Sequence, residues 1–213
     1  ETAQDATPAV RYEPAVTARA RSHAPFRLRR AFALEDFEAA ARRHLPAPVF
    51  GYIAGAAETG RSFAANRLDF GAIGLVPRSL RGHVHRSQET VLFGKTYARP
   101  FGIAPMGFSA LAAYDGDVVL AKAAHTRGTL AIMSATSLTA LERVAEETGS
   151  RWFQAYFPGD MARVEAMTDR IARAGFETLV VTVDVPVNGN RETDLRNGFA
   201  TPLKPTPRLA WQG

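Results

Sequence analysis

The spacing of apolar residues divides the chain into segments of different character. Residues 1–25 show no hydrophobic period and carry Pro8, Pro14 and Pro25, which reads as an arm. From Leu34 the spacing becomes helical, with Leu34, Phe37, Ala41 and Leu45 on one face. Pro46 and Pro48 interrupt this pattern; Val49–Ala57 then reads as a second short helix, and Ser62–Asn66 continues helical. The stretch through Gly94 mixes turn residues with short apolar runs and predicts lead-in structure covering one end of a core.

After Arg99 a repeating rhythm sets in. Phe101–Ala104 is an apolar run ending at Pro105-Met106-Gly107, and Val118–Thr126 is helical in pattern, closed by Gly128. Leu130–Met133 is a second run, ending in Ser134-Ala135-Thr136-Ser137. Thr139-x-x-Glu142 fits a capping box for a helix that ends at Gly149. Trp152–Tyr156 is a third run; Asp160 then caps a helix whose Val164, Met167, Ile171 and Ala174 share a face and which Gly175 ends. Thr178–Val185, rich in β-branched residues, is a fourth run leading to Asp184 and Pro186.

Short continuous apolar runs alternating with helices predict parallel strands covered on both faces. Two α/β folds compete. A doubly wound sheet places its ligand beside a glycine-rich turn, and no G-x-G-x-x-G or P-loop sequence follows any of these runs. A (β/α)8 TIM barrel places its chemistry on loops after several strands, and here every run ends in polar or special residues: Gly107, Ser134, Gln154 with Tyr156, and Thr182 with Asp184. The barrel is the better reading, with strands 1–4 present behind an N-terminal helical extension. The expected divisions are an arm over 1–30, a helical and irregular lead-in over 31–99, the first half of the barrel over 100–188, and the start of a mobile loop over 189–213. Four strands leave open sheet edges, so more polypeptide is expected to complete the core.

Composition narrows the chemistry. The 213 residues hold no cysteine, which excludes disulfides, thiolate catalysis and cysteine-ligated metals. Apolar content of 46% and charged content of 22% suit a globular domain. The net charge of +5 owes much to Arg19, Arg21, Arg27, Arg29 and Arg30, which read as a solvated arm or a contact for an anionic membrane surface; no nucleic-acid motif accompanies them. No apolar stretch has the length of a membrane span, and no secretory signal pattern is visible.

The strand ends supply the candidate chemistry. Gln154 and Tyr156 are two residues apart and so share a strand face, as do Thr182 and Asp184. A carboxylate at such a position can orient a histidine and stabilise its charged form. Ser134 and Gln154 offer hydrogen bonds of the kind that read a heterocycle edge or a phosphate, and backbone near Gly107 can approach a flat ring closely. The same residues also fit ordinary strand-end polarity, and the residues alone leave both readings open. Tyr114 reads as a core or rim residue, and His83-Val84-His85 as alternating solvent-facing positions; His44 and His125 have no metal-like pairing with acids.

Several ordered motifs between Leu34 and Gly198 resemble the FMN-dependent L-2-hydroxy acid oxidases and dehydrogenases. They are Leu45-Pro46-x-x-Val49-Phe50-x-Tyr52, Gly55-Ala56-Ala57-Glu58, Asn66-Arg67, Pro105-Met106-Gly107, Gly128-Thr129, Trp152-Phe153-Gln154-x-Tyr156, Ala174-Gly175-Phe176 and Thr182-Val183-Asp184-x-Pro186-x-x-Gly189-x-Arg191-Glu192-x-Asp194-x-x-Asn197. The resemblance implies FMN in the barrel mouth and oxidation of a mandelate- or lactate-like L-2-hydroxy acid to the 2-keto acid. It implies that backbone at Pro105, Met106 and Gly107 lines the flavin and that Ser134, Gln154 and Thr182 bond its edge. Tyr52 and Tyr156 would face the substrate, Asp184 would orient the catalytic histidine, and Arg191 would lie near the substrate.

In the family, the base histidine, a lysine beside the flavin, the carboxylate-clamping arginine and the phosphate grip all follow the fourth strand, and none can be placed in 1–213. His125 and Lys204 are not substitutes, the first lying between strands and the second in a proline-rich segment. The segment alone is therefore expected to be inactive. The remaining barrel half, a homotetrameric assembly and a cytoplasmic location at or away from the inner membrane face are further implications. Lys204, Arg208, Leu209 and Trp211 either begin a peripheral membrane anchor or belong to a solvated loop. Another FMN-binding barrel oxidoreductase and a non-catalytic barrel fragment are the alternatives; Tyr52 and Tyr156 with Asp184 argue against the first.

Overall fold

The computed structural model describes residues 26–82, 87–157, 159–184 and 187–201. Three short helices come first: α1 (Glu35–His44), α2 (Ala47–Ala54) and α3 (Arg61–Leu68). The Asp36 carboxylate accepts the backbone N–H groups of Phe32 and Ala33 at 2.7 and 2.9 Å and so shapes the entry to α1. Pro46 and Pro48 end α1 and start α2, where proline's fixed φ is compatible with the first turn. α2 buries Val49, Phe50 and Gly51, and the Arg42 guanidinium lies 4.4 Å from the centre of the Phe50 ring.

A hairpin of β1 (Thr90–Leu92) and β2 (Lys95–Tyr97) follows within the lead-in, where the apolar pattern gave no strand. It closes the N-terminal end of the main sheet. The Trp152 indole N–H donates to the Tyr97 hydroxyl at 3.0 Å, Phe93 packs against Trp152, and Ala98 N–H donates to the Gly128 carbonyl at 2.9 Å. The expected cover over one end of the core is thus present, and a hairpin builds part of it.

The main sheet is four parallel strands in the order β3 (Gly102–Ile103), β4 (Leu130–Ser134), β5 (Trp152–Ala155) and β6 (Thr178–Val181). The single turn α4 (Ser109–Ala112) and helix α5 (Gly116–Thr126) join β3 to β4; α6 (Leu141–Thr148) joins β4 to β5, and α7 (Met161–Arg173) joins β5 to β6. Sequential order with helical crossovers is the barrel arrangement rather than the doubly wound one. The sheet is the first half of a (β/α)8 barrel, as the rhythm of runs predicts.

One face of the sheet packs on the helices. Met133, Phe153 and Ala155 meet Val118 and Ala121 of α5, Leu141, Val144 and Ala145 of α6, and Ile171 of α7. Phe153 meets Phe176 edge to face at 5.3 Å, a favoured aromatic geometry. Residues one position away point to the opposite face, which is how Ser134 and Gln154 come to lie side by side in register. Leu179 and Val181 on β6 are 37% and 49% exposed, so the apolar cover thins toward that edge.

Two helix starts differ in how they are capped. Asp160 caps α7 by accepting Ala162 N–H at 3.0 Å, as its position predicts. The expected capping box at Thr139 and Glu142 does not form. The first turn begins one residue late, with Ala140 at the cap and no side-chain bond there. The Thr139 hydroxyl instead donates to buried Asp117 in α5 at 3.1 Å, and Glu142 forms a two-pronged pair with Arg170 of α7 at 2.7 and 3.0 Å. Gly149 ends α6 in the left-handed conformation at φ 65°, where glycine carries no side-chain penalty. Beyond β6, α8 (Glu192–Asn197) lies in the segment expected to open a mobile loop; it is a helix docked on α2.

Candidate active site

Two groups of residues gather around the C-terminal ends of the strands. The first is a polar row across three strands. The Ser134 hydroxyl donates to Gln154 Oε1 at 3.2 Å, and Gln154 Nε2 donates to the Thr182 hydroxyl at 2.7 Å. Ser134 and Gln154 are 4% and 3% exposed, so their bonds offset a large desolvation cost. Thr136 extends the row, with its hydroxyl 3.0 Å from that of Ser134. Thr182 is held by its own backbone N–H, which donates to the Ala155 carbonyl at 3.0 Å.

Hydrogen-bond capacity decides what the row can do next. Gln154 has a second amide proton and a second carbonyl lone pair, and Thr182 accepts from Gln154 and so keeps its own hydroxyl proton to give. Acceptor, donor and donor in a line suit the edge of a flat heterocycle. Gly107 closes against this row, since a β-carbon there would overlap the Thr136 hydroxyl. The next residue, Phe108, holds a left-handed backbone at φ 57°, unusual for an aromatic residue, with its N–H donating to the Thr136 carbonyl at 3.2 Å. Pro105 is half-buried and Met106 exposed, so backbone and one flexible side chain form this part of the wall.

The second group surrounds Tyr52 on α2. Its ring stacks on Phe199 at 4.2 Å, with planes 13° apart, and meets Phe108 edge to face at 6.1 Å. Arg191 lies 5.0 Å from the ring centre and donates to the Tyr52 carbonyl at 2.5 Å, while its Nε donates to Asp194 at 2.6 Å. Gly51 and Gly55 permit the close approach of α8, because a β-carbon at Gly51 would overlap Asn197 and one at Gly55 would crowd Thr193 at 3.3 Å. Glu58 N–H donates to the Asn190 carbonyl at 2.8 Å and extends the same docking.

The two groups meet through Phe108, which touches Tyr52 and is bonded to Thr136. Tyr156 and Asp184 follow β5 and β6 and are exposed; neither has a hydrogen-bond partner among the described contacts. Tyr156 borders an open groove with Ala135, Thr136 and Phe157. Sequence reasoning did not single out Phe108, Thr136 or Phe199 as site residues. Thr136 carried a signal, because it lies two residues beyond Ser134 in a polar strand end; the two phenylalanines carried none.

Most of the perturbed carboxylates lie in the outer helix layer, with Asp36 in the lead-in and Glu177 just before β6. Hydrogen bonds from Arg170 lower the Glu142 pKa, those from Arg143 lower that of Asp115, and Lys122 with Arg143 lowers that of Glu147. No group that could hold a metal ion occurs among the described residues. His125 lies in α5, between strands. Tyr114 is 89% exposed, which places it on the surface. His83, Val84 and His85 lie outside the described residues, as do Lys204, Arg208, Leu209 and Trp211.

The sequence pattern of the FMN-dependent dehydrogenase family matches residues 41–213. A 4-hydroxymandelate oxidase from Amycolatopsis orientalis is 37% identical over 169 residues, which is 79% of this chain and 47% of the relative. An L-lactate oxidase from Roseobacter sp. (strain GAI101) is 36% identical over 79% of this chain and 46% of the relative. The chain thus spans about half the length of the curated relatives it matches. Among solved structures, the monotopic membrane protein (S)-mandelate dehydrogenase superposes with a TM-score of 0.78 at 31% identity, covering 85% of this chain and 48% of that one. A mandelate oxidase gives a TM-score of 0.75 at 37% identity, over 80% and 50%.

Proposed function

Because this chain belongs to the FMN-dependent dehydrogenase family, we propose that the protein containing it oxidises an L-2-hydroxy acid of the mandelate or lactate type to the 2-keto acid. The observation that carries this reading is the buried row Ser134–Gln154–Thr182 at three adjacent strand ends, with Tyr52 fixed nearby. Bound FMN supplies the two-electron acceptor for the hydroxy acid's α-carbon.

The chain's own residues then have distinct tasks. Ser134, Gln154 and Thr182 hold the heterocycle edge, and backbone at Pro105, Met106 and Gly107 lines its face. The Tyr52 and Tyr156 hydroxyls bind the carboxylate and hydroxyl end of the substrate, and Arg191 stands beside them. Asp184 orients and stabilises the cationic form of a histidine supplied from outside this segment, through a charge-assisted hydrogen bond. A complementary barrel half provides that histidine, the carboxylate clamp and the phosphate grip.

The same reading includes a homotetramer and a cytoplasmic location, at or away from the inner membrane face. The membrane contact is supported by the likeness to a monotopic (S)-mandelate dehydrogenase; no described helix is long and apolar enough to cross a membrane. Sedimentation with anionic vesicles and the solution mass test these two points.

The activity itself is tested on the complete protein loaded with FMN. Adding (S)-mandelate or L-lactate without oxygen should bleach the oxidised-flavin absorbance and yield the keto acid. Unchanged absorbance across a panel of L-2-hydroxy acids would falsify the proposal.

A further inference from the structure

We propose that Asp194 is a positioning residue for Tyr52, acting through Arg191; this rests on the reading of Tyr52 as a ligand for the substrate carboxylate. The Asp194 side chain is only 14% exposed, and its carboxylate holds Arg191 at two points, Nε at 2.6 Å and Nη2 at 3.4 Å. The same Nη2 donates to the Tyr52 carbonyl at 2.5 Å, and the guanidinium lies 5.0 Å from the Tyr52 ring centre. The Asp194 carbonyl also accepts Phe199 N–H at 2.9 Å, and Phe199 stacks on the same ring. One residue therefore fixes two of the three partners of the Tyr52 ring, Arg191 by its side chain and Phe199 by its backbone, while Phe108 is held separately.

A first-turn acid on a helix often serves only to complement the helix dipole. Glu192 already occupies the first turn of α8, and its carboxylate turns outward to Arg196. Asp194 points the other way, into the contact with α2. Neutralising it removes the charged partner of the Arg191 side chain, which is 36% exposed. Arg191 then gains by turning toward water, and Tyr52 loses its cationic platform. The hydroxyl of Tyr52, at the far end of the ring, moves with it.

The test is a double-mutant cycle in the complete FMN-loaded protein, with oxalate binding measured by calorimetry and flavin content recorded alongside. Asp194→Asn should weaken oxalate by about tenfold, the scale of one lost polar contact. Tyr52→Phe should weaken it similarly, and the double variant should bind no worse than Tyr52→Phe alone. Asp194→Glu should recover part of the loss, with flavin content unchanged throughout. Losses that multiply in the double variant would overturn the proposal, as would unchanged or tighter binding in Asp194→Asn, which would show Arg191 held back from the substrate. Oxalate loss that only tracks flavin loss would also overturn it. If Asp194→Asn does not fold, Arg191→Lys makes the same comparison, since lysine keeps the charge and loses the planar fork. Wild-type protein that binds oxalate yet oxidises no hydroxy acid would end the functional reading while leaving the cycle readable.

Discussion

The strand-end row and the Tyr52 seat meet through Phe108 and are built in different ways. The row stands on a packed core. Ser134, Gln154 and Thr182 are placed by strand register, and Met133, Phe153 and Ala155 anchor the same strands from behind. The seat has no such backing. It depends on a short helix drawn against α2 by two glycines, one arginine and a stacked pair of rings. The row should therefore fail only when the sheet fails, while the seat can loosen by itself.

The largest expected effect comes from removing the row's support. Phe153→Ala, at a residue of β5 that is 3% exposed and packed on Phe176, should cost about 3–5 kcal/mol. Chemical denaturation of the complete protein should show it, with flavin and substrate binding lost together. Next is the row itself. Gln154→Leu keeps the volume roughly constant and strands Ser134 and Thr182. It should weaken FMN by about a hundredfold, the scale of an unsatisfied buried polar contact. Fluorescence titration measures this, and retained FMN affinity would show that the row is structural only.

The seat should respond to smaller changes. Gly51→Ala sets a β-carbon against Asn197 and should cost about 1–2 kcal/mol. Substrate affinity should fall while FMN affinity holds, and adding Asn197→Ala should relieve the strain. Equal loss of both ligands would mean that the two groups are not separable. The smallest effect is acid loosening of the outer helix layer. Glu142, Glu147 and Asp115 have lowered pKa values through their arginine and lysine partners. Their contribution is complete at neutral pH and is lost as pH falls through those lowered values. The melting temperature should drop in that acid range, and Glu142→Gln should blunt the drop.

The row was legible in the sequence and the seat was only partly so, for a physical reason. Strand runs, helix faces and the Asp160 cap are local patterns, and local patterns fix register. Once Phe101–Ala104, Leu130–Met133, Trp152–Tyr156 and Thr178–Val185 are read as parallel strands, Ser134, Gln154 and Thr182 have to converge. The hairpin escaped because its strands are three residues each and carry no clear alternation. The capping box at Thr139 failed because the helix begins one residue later, which puts Ala140 at the cap and leaves the Thr139 hydroxyl turned to Asp117 on another helix. Tyr52 and Arg191 came from a resemblance rather than from a period. Nothing local links them, and Phe108 and Phe199 join them only in three dimensions.

The separation of Tyr52 from Arg191, 139 residues along the chain, also sets an order of assembly. The bonds of the row close loops of 20 and 28 residues. Loop-closure entropy and contact order favour the shorter closures first. During synthesis the row can close once β6 and Thr182 have emerged, whereas Tyr52 waits for α8 before its orientation is set. Pulsed hydrogen exchange should protect the β4 and β5 amides before those of α2. The wall expected to hold the cofactor would then be complete before the side that meets the substrate, and refolding protein would pass through a state able to bind flavin before it can recognise an acid.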